Sequence, residues 1–302
     1  MSISASMVRD LREKTSAGML DCKKALEETQ GDFEAAVEWL RKKGLASAAK
    51  KADRLASEGL VIAQVSGKIG VLVEVNSETD FVAKNEQFKT FVKDVASTVI
   101  SSNPADVTAL LDNKMSSGAV ISEVLKESIA RIGENLVIRR FVRLETPGLV
   151  HTYIHGDGKI GVMVELTTAN THDAIKTFAN DICLHVAAMN PLALSPDQVP
   201  AEIVAKEKEI LKAKALEQGK KPEMLDKIVG GQINKFLAES CLLEQAFVKN
   251  PDIKVKEYLA QTEKTADEKF SIKSFIRFEL GEGLQKKANN FAEEVAAQTR
   301  GH

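Results

Sequence analysis

The chain contains few cysteines and no long apolar run. Its three cysteines, Cys22, Cys183 and Cys241, lie far apart with no CxxC or cysteine–histidine spacing, which speaks against a disulfide framework or a zinc site and indicates a reducing compartment. No apolar run approaches the ~18–20 residues that a membrane helix needs. The first residues, MSISASMVRDLREKT, lack the apolar centre of a signal peptide. We therefore expect a cytoplasmic protein with no membrane partner.

The chain also lacks an excess of positive charge. Lysine and arginine number 41 against 43 aspartates and glutamates, and the net charge is −2. A dedicated nucleic-acid-binding protein needs a basic surface that displaces counterions from phosphates. We do not expect such a protein here, although a local basic patch stays open.

The motifs of common nucleotide-binding and hydrolytic sites are absent from the sequence. It contains no P-loop, no GxGxxG after a strand, no HExxH and no GxSxG. His151 and His155 share a strand face, but no carboxylate or thiol stands at metal-ligand spacing from them. Glu74 and Glu165 lie in the similar segments GVLVEV and GVMVEL, which favours a structural role for both. The sequence predicts a binding protein that is not an enzyme, with no cofactor, no metal site and no direct nucleotide binding.

An internal repeat occupies the middle of the chain. GKIGVLVEV at 67–75 and GKIGVMVEL at 158–166 are 91 residues apart, whereas the helical patterns that follow, FKTFVKDVA at 88–96 and IKTFANDIC at 175–183, are 87 residues apart. The second strand-to-helix connection is therefore four residues shorter than the first. A repeat that differs at one loop suggests a retained scaffold with function placed in the difference.

Each unit of the repeat also ends on a similar strand. The alternating pattern ENLVIRRFVRLE at 134–145 closes the first unit, and FSIKSFIRFELGE at 270–282 closes the second. We therefore predict an α+β fold with two repeated core subdomains, residues 55–146 and 147–281.

The first unit contains the stretch Asn76–Ala83, here named the 76–83 segment, which includes TDFV. The second unit has no counterpart of TDFV. An aromatic residue on a short connection between packed elements is suited to contact a partner. An alternative is open, because Phe81 lies seven residues before Phe88. At that spacing Phe81 would continue the apolar stripe of the following helix into the core.

The N-terminal part, residues 1–54, predicts three short helices followed by an Ala-rich, charged linker. A bundle this small has little core, and its size is typical of a binding module of the ubiquitin-associated (UBA) type. In such modules the loop between the first two helices is a usual contact surface. Met19 and Leu20 lie there, and whether they are exposed or buried in the core is left open.

About 47 additional residues separate the helix and the closing strand of the second unit, within about 190–240. There Ile203-Val204 and Ile210-Leu211 recur at a spacing of seven, and a GKKP turn leads into a second apolar pattern. We predict an inserted antiparallel coiled-coil hairpin that is an interaction arm or a dimerisation element. It gives the protein a possible route to a higher-order complex. Residues 282–302 predict an amphipathic C-terminal helix.

Four stretches together resemble the bacterial translation elongation factor Ts family, and the resemblance covers essentially the whole chain. They are TSAGMLDCKKAL from Thr15, NSETDFVAK from Asn76, IGEN from Ile132 and FIRFELGEG from Phe275. The family usually has TGAGMMDCKKAL in the first stretch, so Ser16 and Leu20 are mild departures. The resemblance implies a guanine-nucleotide exchange factor whose partner is elongation factor Tu, and a UBA-like N-terminal domain joined to the core described above.

The resemblance also implies roles for individual residues. Asp80 and Phe81 match residues that push between helices of the partner's nucleotide domain and disturb its magnesium and phosphate contacts. Asp80 is expected to cap the turn that presents Phe81, and to repel phosphate or perturb the magnesium shell. The remaining matched positions are Thr79, Val82 and Ala83 in the same loop, Arg12, Met19, Leu20 and Lys23 as a first-module contact to the nucleotide domain, and His155 as a contact to the partner's far domain.

Two other functions stay open on the residues alone. A UBA-type adaptor would act through residues 1–44 without the 76–83 segment. A ribosome- or RNA-associated protein would use a basic stripe formed by Lys23-Lys24, Lys42-Lys43 and Lys50-Lys51, and its binding would depend on salt.

Overall fold

A computed structural model describes residues 3–15 and 17–285 of the chain. Helices and small antiparallel sheets alternate along it, which confirms the α+β class. From Lys286 onward the predicted C-terminal helix over 282–302 lies outside the described residues, and residues 282–285 are not helical. No helix in the described ranges combines the length and apolar character required to cross a membrane.

Three helices form the N-terminal part: α1 (Ala5–Thr15), α2 (Met19–Glu28) and α3 (Phe33–Lys51). Their buried residues are Val8, Leu11, Cys22, Ala25, Leu26 and Ala36. Asp32 caps α3 as the sequence predicts, since its side chain accepts a hydrogen bond from the Ala35 amide. Helix α3 runs on through the first half of the linker predicted over residues 45–58, and Ala48 is buried in the core of the first repeat unit. The linker is therefore helical as far as Lys51, and Ala48 attaches it to that core.

The first repeat unit is a three-stranded sheet covered on one face by helices. Its elements are β1 (Glu58–Ser66), β2 (Ile69–Ser77), α4 (Asp80–Ala83), α5 (Glu86–Ser102), α6 (Val107–Leu111), α7 (Ile121–Ile132) and β3 (Leu136–Glu145), with antiparallel strand order β1-β2-β3. Phe88, Val92 and Val95 of α5 are buried against Val71 and Val73 of β2 in one apolar core. This agrees with the apolar stripe of the helical pattern.

The second unit repeats this strand order. It contains β4 (Leu149–His155), β5 (Ile160–Leu166), α8 (Asp173–Met189), β6 (Ala246–Phe247), β7 (Asn250–Lys254), α11 (Val255–Ala266) and β8 (Ile272–Glu279), with sheet order β4-β5-β8. Helix α8 covers this sheet as α5 covers the first, with Phe178 and Ile182 fully buried. The short β6–β7 pair was not predicted from the sequence.

The two sheets pack against each other through the faces that their helices leave uncovered. Val61 and Leu72 of the first sheet meet Val150, Met163 and Phe278 of the second in one buried cluster. The central strands are therefore buried on both faces, which explains why they read as continuous apolar runs.

The inserted residues form two helices, α9 (Ala201–Glu217) and α10 (Leu225–Ser240). Val204 packs with Leu237 in one cluster at the base of the pair, so the two helices run antiparallel. The ends of the insertion meet, because the Leu192 amide donates to the Ser240 carbonyl and the Leu242 amide donates to the Ala193 carbonyl. The pair therefore leaves and rejoins the second unit at one place.

Candidate partner-binding site

The 76–83 segment presents Phe81 to solvent on a single helical turn. Strand β2 ends at Ser77, α4 covers Asp80–Ala83, and α5 starts at Glu86 after Asn85 caps it. The Phe81 side chain is 77% exposed, whereas Val82 is 7% exposed and belongs to the core of the first unit. The alternative that Phe81 continues the stripe of α5 into the core is therefore wrong.

Asp80 lies beside Phe81 but does not cap the turn. The N-cap of α4 is Thr79, and Asp80 is the first helical residue. The Asp80 carboxylate accepts from Lys84 Nζ at 3.0 Å, and the same ammonium lies 5.8 Å from the centre of the Phe81 ring. The expected capping role of Asp80 is wrong because the chain enters the turn one residue earlier. The exposed tip carries a carboxylate, an aromatic ring and an ammonium side by side.

Thr79 is held by a glutamate from the far end of the first unit. Its hydroxyl donates to Glu134 Oε1 at 2.7 Å, and its amide donates to Glu134 Oε2 at 3.0 Å. In the opposite direction, the Asn135 amide donates to Glu78 Oε1 at 2.6 Å. We name these two reciprocal carboxylate–amide contacts the glutamate brace. The IGEN stretch contributes half of it, a role that the sequence did not indicate.

The equivalent connection of the second unit, residues 167–172, contains no helix. A glutamate also holds it, because Glu268 accepts hydrogen bonds from Thr168 and from the Asn170 side chain. The two units thus share a carboxylate contact at this connection, and only the first presents an aromatic residue from it.

The other candidate contact residues are exposed at the positions that the resemblance implies. Met19 and Leu20 begin α2 and are 53% and 81% exposed, so the alternative of a buried pair is wrong. Arg12 on α1 is exposed, and Lys23 on α2 lies 3.7 Å from Glu27. A cleft of about 300 Å³ separates this end of the N-terminal part from α7, and Lys14, Asp21 and Arg131 are among the residues that line it.

His155 lies on the second unit, exposed at the end of β4. Its Nδ1 is 2.9 Å from the Tyr153 hydroxyl.

Burial lowers the pKa of His151, the other histidine of this strand, below its ordinary value, although a hydrogen bond with Asn180 opposes the shift. Among the described residues no group of three or more His, Cys, Asp or Glu side chains is arranged to hold a metal ion.

Glu74 and Glu165 make structural contacts, as their equivalent positions predict. Glu74 is fully buried and accepts from Arg139 at 2.9 Å, Arg140 at 2.6 Å and the Gly281 amide at 2.8 Å. Burial opposes ionisation of Glu74, but the Gly281 amide and the two guanidinium groups outweigh it and hold its pKa below the ordinary value. This carboxylate therefore ties the first sheet to the turn after β8.

Three of the lysines proposed for a basic stripe have carboxylate partners. Lys23 lies near Glu27, Lys42 pairs with Glu38 at 2.8 Å, and Lys43 pairs with Asp21 at 2.6 Å. These carboxylates offset much of the positive charge that an RNA-binding stripe would need.

Comparison with known proteins gives one consistent result. Residues 78–282 match the family described as elongation factor TS. The chain is 54% identical to an elongation factor Ts of Bdellovibrio bacteriovorus over 100% of both chains, and 49% identical to one of Clostridioides difficile over 99% of both. It is 50% identical to an elongation factor Ts of Syntrophotalea carbinolica, with 99% of this chain and 100% of the relative covered. Because the similarity spans the repeat, the 76–83 segment and the N-terminal helices alike, this chain belongs to the elongation factor Ts family.

Proposed function

We propose that this chain is a guanine-nucleotide exchange factor that binds elongation factor Tu and accelerates GDP release during protein synthesis. Membership of the elongation factor Ts family supports the class of activity. The observation that carries the mechanism is the exposure of Phe81 on a turn held on both sides, by the buried Val82 and by the Thr79–Glu134 contacts. The fold thus keeps the apolar Phe81 ring exposed to solvent, a position suited to insertion into a partner protein.

In the proposed mechanism Asp80 and Phe81 enter the nucleotide domain of elongation factor Tu. Phe81 separates packed helices, and the displacement disturbs the contacts that hold magnesium and phosphate. The protein needs no reacting group for this, because it only has to bind the nucleotide-free conformation more tightly than the GDP-bound one. By linkage, GDP weakens binding of the exchange factor by the same factor.

Other surfaces supply most of the affinity in this proposal. Arg12, Met19, Leu20 and Lys23 contact the nucleotide domain from the N-terminal helices, and His155 contacts the far domain of the partner. Their exposure supports these assignments. Exposed Met and Leu side chains bury apolar area on binding, which contributes roughly 25 cal/mol per Å² before the costs of association.

The direct test is release of a fluorescent GDP analogue from elongation factor Tu, with excess unlabelled GDP, in the presence and absence of this protein. We expect the release rate to rise with protein concentration and to saturate. Val65→Ala is a matched control for Phe81→Ala. Both residues are exposed and apolar, and no contact with the partner is assigned to Val65 of β1. A release rate that does not change with added protein would contradict the proposal.

A further inference from the structure

We propose that Glu134 is a positioning residue for the exchange step, fixing the direction in which the 76–83 segment presents Phe81. This inference rests on the proposed function. It assigns a role to a side chain that does not itself reach the exposed tip. Glu134 contacts Thr79, which lies 55 residues earlier in the sequence.

The strand register brings the two halves of the glutamate brace together. Ser77 of β2 pairs with Leu136 of β3, so the residues that leave β2 lie beside those that enter β3. Glu134 then accepts from both the amide and the hydroxyl of Thr79, while Glu78 accepts from the Asn135 amide. The Asn135 side chain is buried, and its Nδ2 donates to the Arg54 carbonyl at 2.8 Å. The start of the segment is thus fixed to a buried part of the fold.

Helix α4 needs such external support because it cannot hold its own shape. It has four residues, and its N-cap makes no side-chain hydrogen bond to the helix. A single turn fixes several dihedral angles for very few hydrogen bonds, so it is unstable in isolation. Its supports are Val82 in the core, the Glu134 contacts to Thr79, and the Ser77 hydroxyl, which donates to the Thr79 carbonyl at 2.9 Å. Phe81 lies between the supported residues 79 and 82.

Loss of the Glu134 contacts would leave Phe81 exposed but free to point in many directions. The partner would then have to order the turn during exchange, at a cost that preorganisation otherwise removes. Misplacement of a functional group by about 1 Å can reduce a rate roughly a hundredfold. We therefore expect the maximal exchange rate to fall while contacts made elsewhere preserve binding.

The second unit supplies a matched control. Glu268 holds the connection 167–172 through Thr168 and Asn170, but no aromatic residue is presented there. If such a carboxylate only stabilises the fold, then Glu134→Ala and Glu268→Ala have the same effect on exchange per folded molecule. If Glu134 positions Phe81, only Glu134→Ala reduces exchange.

The experiment compares four variants, Glu134→Ala, Glu134→Gln, Glu268→Ala and Phe81→Ala, with the wild type. For each, GDP release from elongation factor Tu is titrated to saturation, and chemical denaturation gives the folded fraction. We expect Glu134→Ala to lower the maximal rate by roughly tenfold or more, with the half-saturating concentration changed less than about twofold. Glu134→Gln should recover most of the rate, because its amide oxygen can accept from the Thr79 amide and its NH₂ group can donate to the Thr79 hydroxyl.

The outcomes separate this inference from the proposed function. Equal maximal rates for Glu134→Ala and Glu268→Ala, with Phe81→Ala slow, would overturn the positioning role and leave the exchange mechanism intact. A wild-type rate for Phe81→Ala would overturn the mechanism and the positioning role with it. If Glu134→Ala does not fold, Glu134→Asp replaces it and Glu268→Asp is its control, because the shorter side chain no longer reaches both Thr79 groups. A lower maximal rate in Glu134→Asp alone supports the inference, and equal rates overturn it.

Discussion

Gly70 and Gly161 occupy equivalent positions in the two sheets, and each lies where the opposite sheet leaves no room for a Cβ atom. A Cβ on Gly70 would overlap Val150 and Met163, and a Cβ on Gly161 would overlap Val61. Both glycines face the buried cluster that joins the sheets. The repeat therefore preserves a close approach between its two units as well as the plan of each unit.

Gly70→Ala tests this packing. We expect it to lower the free energy of unfolding by about 1–3 kcal/mol, because the sheets have to separate or their side chains have to leave preferred rotamers. Gly230→Ala is the matched control, since that glycine lies in α10 with no atom near an added Cβ. In a helix the same substitution should raise stability by up to about 1 kcal/mol. Chemical denaturation of both variants checks the pair, and a neutral Gly70→Ala would show that the interface is loosely packed.

We predict that His185 lowers the free energy of unfolding as the pH falls. It is fully buried, its Nε2 is 2.9 Å from Gln245 Oε1, and its Nδ1 accepts from the Val248 amide at 3.2 Å. Burial lowers its pKa below the ordinary value, although the Gln245 hydrogen bond opposes the shift. A proton on Nδ1 would remove the acceptor of the Val248 amide.

The sign of the effect follows from the protons bound by each state. Below about pH 6.5 the histidine is protonated in the unfolded state but stays neutral in the folded state. The free energy of unfolding therefore has its full value above that pH and decreases as the pH falls below it. One histidine contributes a slope of at most about 1.4 kcal/mol per pH unit. We expect His185→Leu to be less stable at neutral pH and to show a shallower slope between pH 7.5 and 5.5 in urea denaturation. Equal slopes would contradict the account of His185.

The inserted helical pair should be removable. Its ends meet through the backbone contacts of Leu192 with Ser240 and of Ala193 with Leu242, and the first unit folds without an equivalent. Replacing about 200–238 by a short Gly/Ser linker should leave cooperative unfolding of the core intact. Binding to elongation factor Tu or self-association should decrease, as calorimetry and sedimentation would show. Loss of the cooperative transition would place the hairpin in the core.

Met19 and Leu20 should contribute affinity more than exchange rate. Together they expose apolar side chains at the start of α2 and make no contribution to the buried core of the N-terminal helices. Met19→Ser with Leu20→Ser should raise the half-saturating concentration in the GDP release titration and leave the maximal rate nearly unchanged. Because both side chains are exposed, stability should change by no more than about 0.5 kcal/mol per substitution. A lower maximal rate at saturation would instead give these residues a part in the exchange step.

The difference between the repeats singled out the 76–83 segment as a candidate, and the structure places its Phe81 in solvent. Helical spacing alone gave the wrong position for Phe81 in one of its two interpretations. That spacing assumed one continuous helix. Asn85 instead starts α5 afresh, since its side chain accepts from the Gln87 and Phe88 amides, so residues 80–83 do not share the helical phase of residues 86–102.

The glutamate brace was not predictable by pattern, for a different reason. It joins Thr79 to Glu134, 55 positions apart, and Glu78 to Asn135, 57 positions apart. Only the pairing of β2 with β3 brings these residues together. The β6–β7 pair escaped prediction because strands of two and five residues are too short to show alternation. Caps, strand faces and the repeat are local signals, whereas contacts that depend on sheet register need the fold.

Phe81→Ala tests the proposed role of Phe81 most directly, with two measurements on one sample. A buried Phe→Ala substitution costs roughly 3–5 kcal/mol, whereas an exposed one usually stays within about 0.5 kcal/mol. Since the side chain is 77% exposed, we predict an unchanged free energy of unfolding in chemical denaturation. In the GDP release assay with elongation factor Tu we predict a marked fall in the maximal rate, larger than the loss of binding to the nucleotide-free partner. A large loss of stability with unchanged exchange per folded molecule would contradict the account.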